Sequence, residues 1–389
     1  MPNTDIVAYN LASFVTALFL LESGADKFID HTAIVARRIN VSETTIGLVT
    51  AGAEWEELII VVASLARNRA SLAIGNIIGS AISNILGAFS LGFLFHSNDA
   101  PIRFDSSSRI YSLVLLAMTT FTAPILYLPA TSVWLVHGIL SIVAFAVYIL
   151  SIGWAISRGD LTAPEGSDSD SSDESDGSSS TESTEEDTAN ANSARRRHNA
   201  VSDSHNIIES PHIDFNTRSR PSGAVSPTTP LLSHQIHSKH KTLRYHVTCL
   251  LLGFLGICLA GYVLSHAAST ISDEFMISDL LFGVVVLSIA TTLPEKFVAV
   301  MSSHRGRAGV FVANTTGSNI FLLTLCSGIV MLVSKGSFPH GDVGLLELGV
   351  LWGSTAAFTA TVWFGERFCR WIGSVMLIVY IIFVVFEFM

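Results

Sequence analysis

Gly52-Ala-Glu-Trp-Glu-Glu57 carries three carboxylates, those of Glu54, Glu56 and Glu57, within an otherwise apolar part of the chain. No Lys or Arg lies among them. An ionised carboxylate in an apolar medium is costly, so such residues face a cavity and bind a cation, or they hold a proton. The segment therefore predicts a site for a positively charged species.

The composition places this segment in a membrane. The chain has 389 residues, of which 49% are hydrophobic and only 14% are charged, and its mean hydropathy is +0.51. These values exclude an ordinary soluble protein of this size. Apolar runs of about 20 residues recur, each long enough to cross a bilayer core of roughly 30 Å. We expect an all-α polytopic membrane protein.

Ten apolar segments can be placed, five on each side of a hydrophilic stretch. They lie at about 6–31, 44–66, 71–95, 109–130 and 132–157, and then at about 245–268, 277–301, 308–334, 344–364 and 371–388. We therefore predict a first membrane repeat of five helices over 1–157, a loop over 158–243 and a second membrane repeat of five helices over 244–389. The first segment lacks a basic leader, so we interpret it as a retained helix rather than a signal peptide.

The loop 158–243 is rich in Ser, Asp and Glu and contributes most of the formal net charge of −10. It has few aromatic residues and cannot bury a core, so we expect it to be disordered. Its segment Thr228-Thr-Pro-Leu-Leu232 resembles a dileucine sorting signal, which favours a vacuolar or lysosomal type of membrane over the plasma membrane. Sorting or regulatory proteins are candidate partners of the loop, and no nucleic-acid partner is expected.

Lys and Arg residues in the short loops predict the orientation. With the N-terminus outside, the outside loops keep only Arg67, Arg69 and Lys335. The positive-inside rule then favours a non-cytosolic N-terminus and a cytosolic loop 158–243. The basic residues of the inside loops are Arg37, Arg38, Arg103, Arg109, Arg158, Arg195–Arg197, Arg305, Arg307, Arg367 and Arg370.

The two halves repeat each other at a fixed offset of 238 residues. The offset aligns Glu57 with Glu295 without a gap, and it continues through a set of further identities. Because each half has five helices, the halves must enter the membrane in opposite senses. Inverted repeats with polar residues at mid-membrane are the architecture of secondary transporters, whose substrate site lies at the repeat interface. The further identities are Ser64 with Ser302, Arg67 with Arg305, Arg69 with Arg307, Asn76 with Asn314, Gly79 with Gly317, Ser80 with Ser318 and Ile82 with Ile320.

The second copy contains Ala290-Thr-Thr-Leu-Pro-Glu295 and Thr316-Gly-Ser-Asn319. Pro294 cannot donate a backbone hydrogen bond, so it breaks a helix where a cavity can use the freed carbonyl. The available ligands are carboxylate, hydroxyl, amide and carbonyl oxygens, which hard cations such as Ca²⁺ and Na⁺ prefer. The four cysteines show neither paired spacing nor His partners, so neither disulfides nor zinc is expected.

These two blocks resemble the alpha-repeats of the cation/calcium exchanger superfamily, and most of all its sodium/calcium exchanger branch. The family pattern is Gly-Thr-Ser-x-Pro-Glu on one helix and Gly-Asn-x-x-Gly-Ser-Asn-x-x-Asn/Asp on the next. The resemblance covers all ten segments and leaves out only the loop. It implies two inverted five-helix repeats that transport Ca²⁺ against Na⁺ or H⁺ by alternating access.

The resemblance also implies a ligand set for the transported cations. Glu57 and Glu295 match the two family glutamates. Thr50 and Ser288 fall where the family uses backbone carbonyls, and the transfer is weaker for Thr50 because the first copy is two residues shorter there. The remaining implied ligands are Thr291, Thr292, Ser80, Ser318 and Asn84.

The chain departs from the family pattern at several of these positions. Ala53, Glu54 and Glu56 replace Thr, Ser and Pro in the first copy, and Leu322 replaces an acid or amide in the second. Glu54 and Glu57 are three residues apart and share a helix face, so Glu54 is a candidate replacement for the missing acid. Glu56 lies on another face, where a structural role and a functional one are equally expected.

The predicted function is antiport of Ca²⁺ against Na⁺ or H⁺, with no tightly bound cofactor. The alternative is a non-transporting relative that binds a cation for structure or regulation, which Leu322 and the shortened first copy favour. No enzyme motif is present, so we do not expect an enzyme. The counter-ion, the preference among divalent cations, the stoichiometry and the oligomeric state stay open.

Overall fold

The computed structural model describes residues 2–38, 54–96, 104, 106–128, 131–157, 242–304, 308–335, 343–365 and 369–389. Thr50 and all of the predicted loop except its last two residues lie outside these ranges. The first half contains α1 (Thr4–Arg38), α2 (Trp55–Ala66), α3 (Ala70–Leu94), α4 (Ser106–Tyr127) and α5 (Thr131–Ser157). The second half contains α6 (Leu243–Phe275), α7 (Asp279–Thr291), α8 (Leu293–His304), α9 (Ala308–Phe321, Leu322–Cys326 and Ser327–Ser334), α10 (Leu345–Phe364) and α11 (Cys369–Glu387).

Eight of the described helices are long and apolar enough to span a membrane, and the pair α7 and α8, bent by 45°, makes nine if it is counted as one span. The predicted second segment, 44–66, is described only from residue 54, and that part contains the 12-residue α2. All regular elements in the described ranges are helices. The predicted class, an all-α polytopic membrane protein, is confirmed.

The helices form two packed groups. The long helices α1 and α6 lie against each other and bury a core of small and aliphatic side chains, among them Ala25, Ile257 and Ala268. The larger core surrounds α3 and α9, which are the most deeply buried of the spans. Their partners follow the repeat, because α5 packs on α9 while its counterpart α11 packs on α3. The chain therefore builds one body from two interlocked halves.

Contacts at the helix ends show that the two repeats run in opposite directions. Arg69, just after α2, binds Asp273 and Asp279, and the neighbouring Glu274 accepts a hydrogen bond of 2.9 Å from the backbone of Asn3. The end of α8, the counterpart of α2, lies elsewhere: the Ser303 hydroxyl is 3.4 Å from Nδ1 of His96. The end of α2 thus shares a side with the N-terminus, whereas the end of α8 lies near the end of α3.

The central helices depart from α-helical geometry at related positions. In α3 the π-helical turn Ser83–Phe89 follows the Gly-Ser motif, and in α9 the π-helical turn Leu322–Cys326 stands at the same place in the repeat. A third turn, Phe282–Leu287, lies in α7. Such turns are often found at functional sites, because they realign side chains within a helix. The bend between α7 and α8 falls at Thr292, two residues before Pro294, close to the break that the proline predicts.

Two glycines of α3 allow its backbone to contact the backbone of α7. A Cβ atom placed on Gly75 would lie 2.5 Å from the carbonyl oxygen of Leu280, and one on Gly79 would overlap the carbonyl oxygen of Val284. On the other side, a Cβ on Gly283 would lie 2.7 Å from the carbonyl oxygen of Leu72. This contact joins the first repeat to the second beside the polar motifs, as small residues do in membrane helix pairs.

Replacing Gly79 by Ala is expected to separate α3 from α7. Because the added methyl group would meet backbone that cannot rotate away, we expect a loss of about 1–3 kcal/mol in the free energy of unfolding. Thermal unfolding of the detergent-purified protein measures this loss of stability. The matched control is Gly256→Ala, since a Cβ there meets nothing within 4 Å. Equal melting temperatures for the two variants would contradict the close packing.

Arg69 connects the two repeats at the end of the bundle where α2 ends. Its guanidinium is 2.6 Å from a carboxylate oxygen of Asp273 and 3.1 Å from one of Asp279, whose side chain is only 1% exposed. The hydrogen bond to Asp273 raises the pKa of Arg69, so the guanidinium keeps its charge. Beyond its predicted role in orientation, Arg69 therefore neutralises a buried acid of the opposite repeat.

Replacing Arg69 by Ala would leave Asp279 buried without a cation, and we expect unfolding free energy to fall by about 3 kcal/mol. Asp273→Asn is the comparison variant. Its carboxylate is 55% exposed, so breaking that contact should cost less than about 1 kcal/mol. Chemical unfolding of both variants, followed by tryptophan fluorescence, checks that Arg69→Ala loses more unfolding free energy than Asp273→Asn. A larger loss for Asp273→Asn would show that the exposed ion pair is the stabilising one.

Candidate functional site

Glu57 is the most completely enclosed acid of the site. It lies in the first turn of α2 and is 2% exposed. Ser80 of α3 donates a hydrogen bond of 3.0 Å to one carboxylate oxygen, and the Asn76 amide donates to the other. Thr291, from α7 in the second repeat, interacts with the same carboxylate. The first-turn position adds the favourable field of the helix N-terminus. Both repeats therefore surround Glu57.

Glu295 occupies the corresponding place in the second repeat. It lies in the first turn of α8, just past the bend, and is half-buried. Its carboxylate interacts electrostatically with Glu56 and Glu57 across the repeat interface. Glu54, immediately before α2, is 7% exposed and interacts with both Glu295 and Glu57. The structure thus brings together the acids of the two copies.

Glu56 faces a partly different environment. Besides Glu57 it interacts with Asp26 and Glu22, both on α1. Trp55 beside it packs edge-on against Phe28 at 5.9 Å. Glu56 therefore lies at the edge of the site, on the side of α1.

The hydroxyl residues of the second repeat line the bend. Thr292 is 1% exposed, and its hydroxyl is 2.9 Å from the hydroxyl of Ser83 on α3. It also donates a hydrogen bond of 2.6 Å to the carbonyl oxygen of Ser288. Thr291 lies 5% exposed on the same turn. Ser288 itself is directed toward α3, where its hydroxyl would touch a Cβ placed on Gly79 at 2.6 Å.

The amide and serine residues come from α3 and α9. The Asn84 amide donates a hydrogen bond of 3.4 Å to the Asn319 side chain, which in turn donates one of 3.3 Å to the carbonyl oxygen of Ala81. Ser318 is 1% exposed and lies near Glu54. Leu322, which replaces the family acid, is fully buried, so the described second repeat supplies no acid there.

Several buried oxygens of this region accept no hydrogen bond. Both carboxylate oxygens of Glu54 are unpartnered, although the Ser318 side chain lies near enough to interact. Buried acceptors are nearly always paired in folded proteins, so this set is exceptional. In the described part of the chain, no group of three Asp, Glu, His or Cys side chains is arranged to hold a metal ion by itself. The other unpartnered oxygens are Asn76 Oδ1, Asn84 Oδ1, Glu295 Oε2 and Thr316 Oγ1.

The sequence did not predict that Lys296 belongs to the site. Lys296 follows Glu295, and its ammonium group contacts Ser83 and Thr292 rather than solvent alone. The available signal was a lone Lys inside an apolar span, next to a predicted ligand. Nine of the ten predicted ligands lie within the described residues, and Thr50 does not.

Comparison with known proteins agrees with this architecture. The family model for the sodium/calcium exchanger protein matches residues 9–155 and 245–389, which is well over half of the chain. The chain belongs to the sodium/calcium exchanger protein family. The match leaves out the stretch between the two membrane halves, and the members of this family are membrane transporters.

Individual relatives are distant. CaxA of Alkalimonas amylolytica, a candidate antiporter by its name, is 23% identical over 335 residues, or 85% of this chain and 82% of the relative. The solved structure of the sodium-calcium exchanger NCX_Mj, soaked with Na⁺ and Sr²⁺, matches 97% of this chain and 99% of its own with a TM-score of 0.52 at 21% identity. Native YfkE gives a TM-score of 0.60 at 14% identity over 97% and 91% of the two chains. At such identities the structural likeness establishes the fold alone.

Proposed function

We propose that this exchanger-family protein moves Ca²⁺ across a membrane in exchange for Na⁺ or H⁺, by alternating access of one site between its two repeats. The observation that carries the proposal is the group of buried, unpartnered oxygens around Glu54 and Glu295, beside the paired carboxylate of Glu57. Oxygen sets of this kind suit Ca²⁺ and Na⁺. The family and the relatives support the same class of transport.

In this proposal Glu57 and Glu295 are the principal ligands, because each repeat contributes one and both lie at helix N-termini inside the membrane. Glu54 adds a carboxylate on the same side. The secondary ligands are Ser80, Asn84, Ser288, Thr291, Thr292 and Ser318, with Thr50 as the predicted counterpart outside the described residues. Ca²⁺ neutralises two carboxylate charges, and monovalent ions must do so before the emptied site can reorient.

We propose the domain boundaries and the membrane topology that the sequence predicts. The membrane repeats comprise 1–157 and 244–389, and the loop 158–243 is cytosolic when the N-terminus is non-cytosolic. The ends of α2 and α8 lie on opposite sides of the bundle, which supports inverted repeats. The loop would be open to sorting or regulatory proteins. An intracellular membrane of the vacuolar or lysosomal type is the proposed location.

Transport by purified protein in lipid vesicles tests the function. With an imposed Na⁺ or pH gradient, wild-type vesicles should accumulate ⁴⁵Ca²⁺, and Glu57→Gln or Glu295→Gln should reduce the initial rate at least about tenfold, because each removes a buried charge that the ion neutralises. The matched control is Glu347→Gln, a comparably buried Glu (9% exposed) at the start of α10. It should transport at the wild-type rate.

Two outcomes would contradict the proposal. Wild-type vesicles that take up no ⁴⁵Ca²⁺ under either gradient would exclude antiport, and the non-transporting alternative would then be favoured if Ca²⁺ still bound. Normal uptake by both glutamine variants would show that transport uses a different site.

A further inference from the structure

The side chain of Lys296 is enclosed within the proposed site by oxygens of both repeats. Its Nζ atom donates hydrogen bonds of 2.9 Å to the hydroxyl of Ser83 and 3.2 Å to the carbonyl oxygen of Thr292, and a third to the hydroxyl of Thr292. An ammonium group has three donors, so this one is fully satisfied. The three acceptors are one carbonyl and two hydroxyls, which are neutral oxygens, and carbonyl oxygens at broken helices are the groups that coordinate Na⁺ in transporters.

The surrounding residues make room for this ammonium group. A Cβ atom on Gly87 would lie 3.1 Å from Cε of Lys296 and 3.6 Å from the ring of Tyr380. The Tyr380 hydroxyl donates a hydrogen bond of 2.9 Å to the hydroxyl of Ser83, which holds the serine from the side of α11. The side chain of Lys296 therefore packs between α8, α3 and α11.

The charges of the site indicate what the ammonium group does. Lys296 interacts electrostatically with both Glu295 and Glu57, yet no carboxylate among the described residues lies within ion-pairing distance of it. The ammonium group of Lys296 is therefore a positive charge near Glu57 and Glu295 that is not paired directly with either carboxylate. Counted as ionised, the three proposed carboxylate ligands Glu54, Glu57 and Glu295 sum with Lys296 to a charge of −2, which one Ca²⁺ balances; Glu56, on the side of α1, is not counted as a ligand.

The two copies of the repeat carry different charges at equivalent positions. At the offset of 238, Glu54 stands where the second copy has Thr292, and Leu58 stands where the second copy has Lys296. The first copy thus has an acid where the second has a hydroxyl, and the second has a base where the first has an apolar side chain. Glu56, the other added acid of the first copy, stands where the second copy has Pro294. Without Lys296, the three carboxylates would need three monovalent cations instead of two for neutrality once Ca²⁺ has left.

We propose that the ammonium group of Lys296 is a resident cation of the transport site, which holds the place of one transported monovalent ion and so lowers by one the number of counter-ions exchanged for each Ca²⁺. The inference rests on the proposed antiport. A lysine that only tethers α8 to α3 would leave that number unchanged, which separates the two roles.

The coupling number can be measured at equilibrium in vesicles held at zero membrane potential. There the Ca²⁺ concentration ratio equals the counter-ion ratio raised to the coupling number, so a double-logarithmic plot has that number as its slope. For the counter-ion that drives wild-type exchange we expect a slope of about 2, since two monovalent charges replace one Ca²⁺ in a site of charge −2. In Lys296→Met and Lys296→Gln the slope should rise by about one, to about 3.

Two further variants connect the change in slope to charge. Leu58→Met, at the equivalent position of the first repeat, should keep the wild-type slope. The double variant Glu54→Gln with Lys296→Met restores the charge of −2, and its slope should return to about 2. Lys296→Gln retains an amide donor for Ser83 and Thr292, so it serves if the methionine variant does not fold.

The outcomes separate this inference from the function on which it rests. An unchanged slope in either folded Lys296 variant overturns the inference while wild-type transport stands. A wild-type slope of about 3 or more also overturns it, even if neither variant folds. A wild-type protein that moves no Ca²⁺ overturns both proposals.

Discussion

The cost of enclosing the carboxylate of Glu57 in an apolar membrane interior governs the rest of this structure. Removing a carboxylate from water costs several kcal/mol even in proteins, unless hydrogen bonds and opposite charges compensate it. Asn76 and Ser80 donate to it, α2 directs its N-terminus toward it, and Lys296 lies nearby. Thr291 of α7 approaches the same carboxylate where α3 contacts α7, and that contact depends on Gly75 and Gly79. The polar site and the close helix packing are therefore one feature.

The same constraint explains why the central helices are irregular. A regular helix satisfies its own backbone and leaves only side chains to bind an ion, whereas the bend at Thr292 and the π-helical turns redirect polar groups toward the interface. The turns in α3 and α9 stand at equivalent places in the two repeats. Long, regular helices such as α1 and α6 lie outside this region. The irregular geometry is concentrated where the two repeats meet.

The sequence predicted the main architecture because its signals are strong and local. Apolar runs gave the membrane class, and the offset of 238 residues paired Glu57 with Glu295, which interact in the structure. What could not be predicted depends on contacts between distant segments. Lys296 is next to Glu295 in sequence, but its role follows from Ser83, 213 residues away. The π-helical turns and the ion pairs of Arg69 with Asp273 and Asp279 likewise arise from packing between repeats, which no local pattern records.

The proposed transport depends on one cation site built by both repeats, with Glu57 and Glu295 as shared ligands. The most direct test is an anomalous-scattering experiment on crystals soaked with Sr²⁺, a heavier analogue of Ca²⁺. We expect a single strong peak at the interface of α2, α3, α7 and α8. Oxygens of Glu57 and Glu295 should lie at coordinating distance, roughly 2.3–2.6 Å for Ca²⁺ and slightly longer for Sr²⁺. A peak bound by one repeat alone, or a peak only on the protein surface, would contradict the proposal.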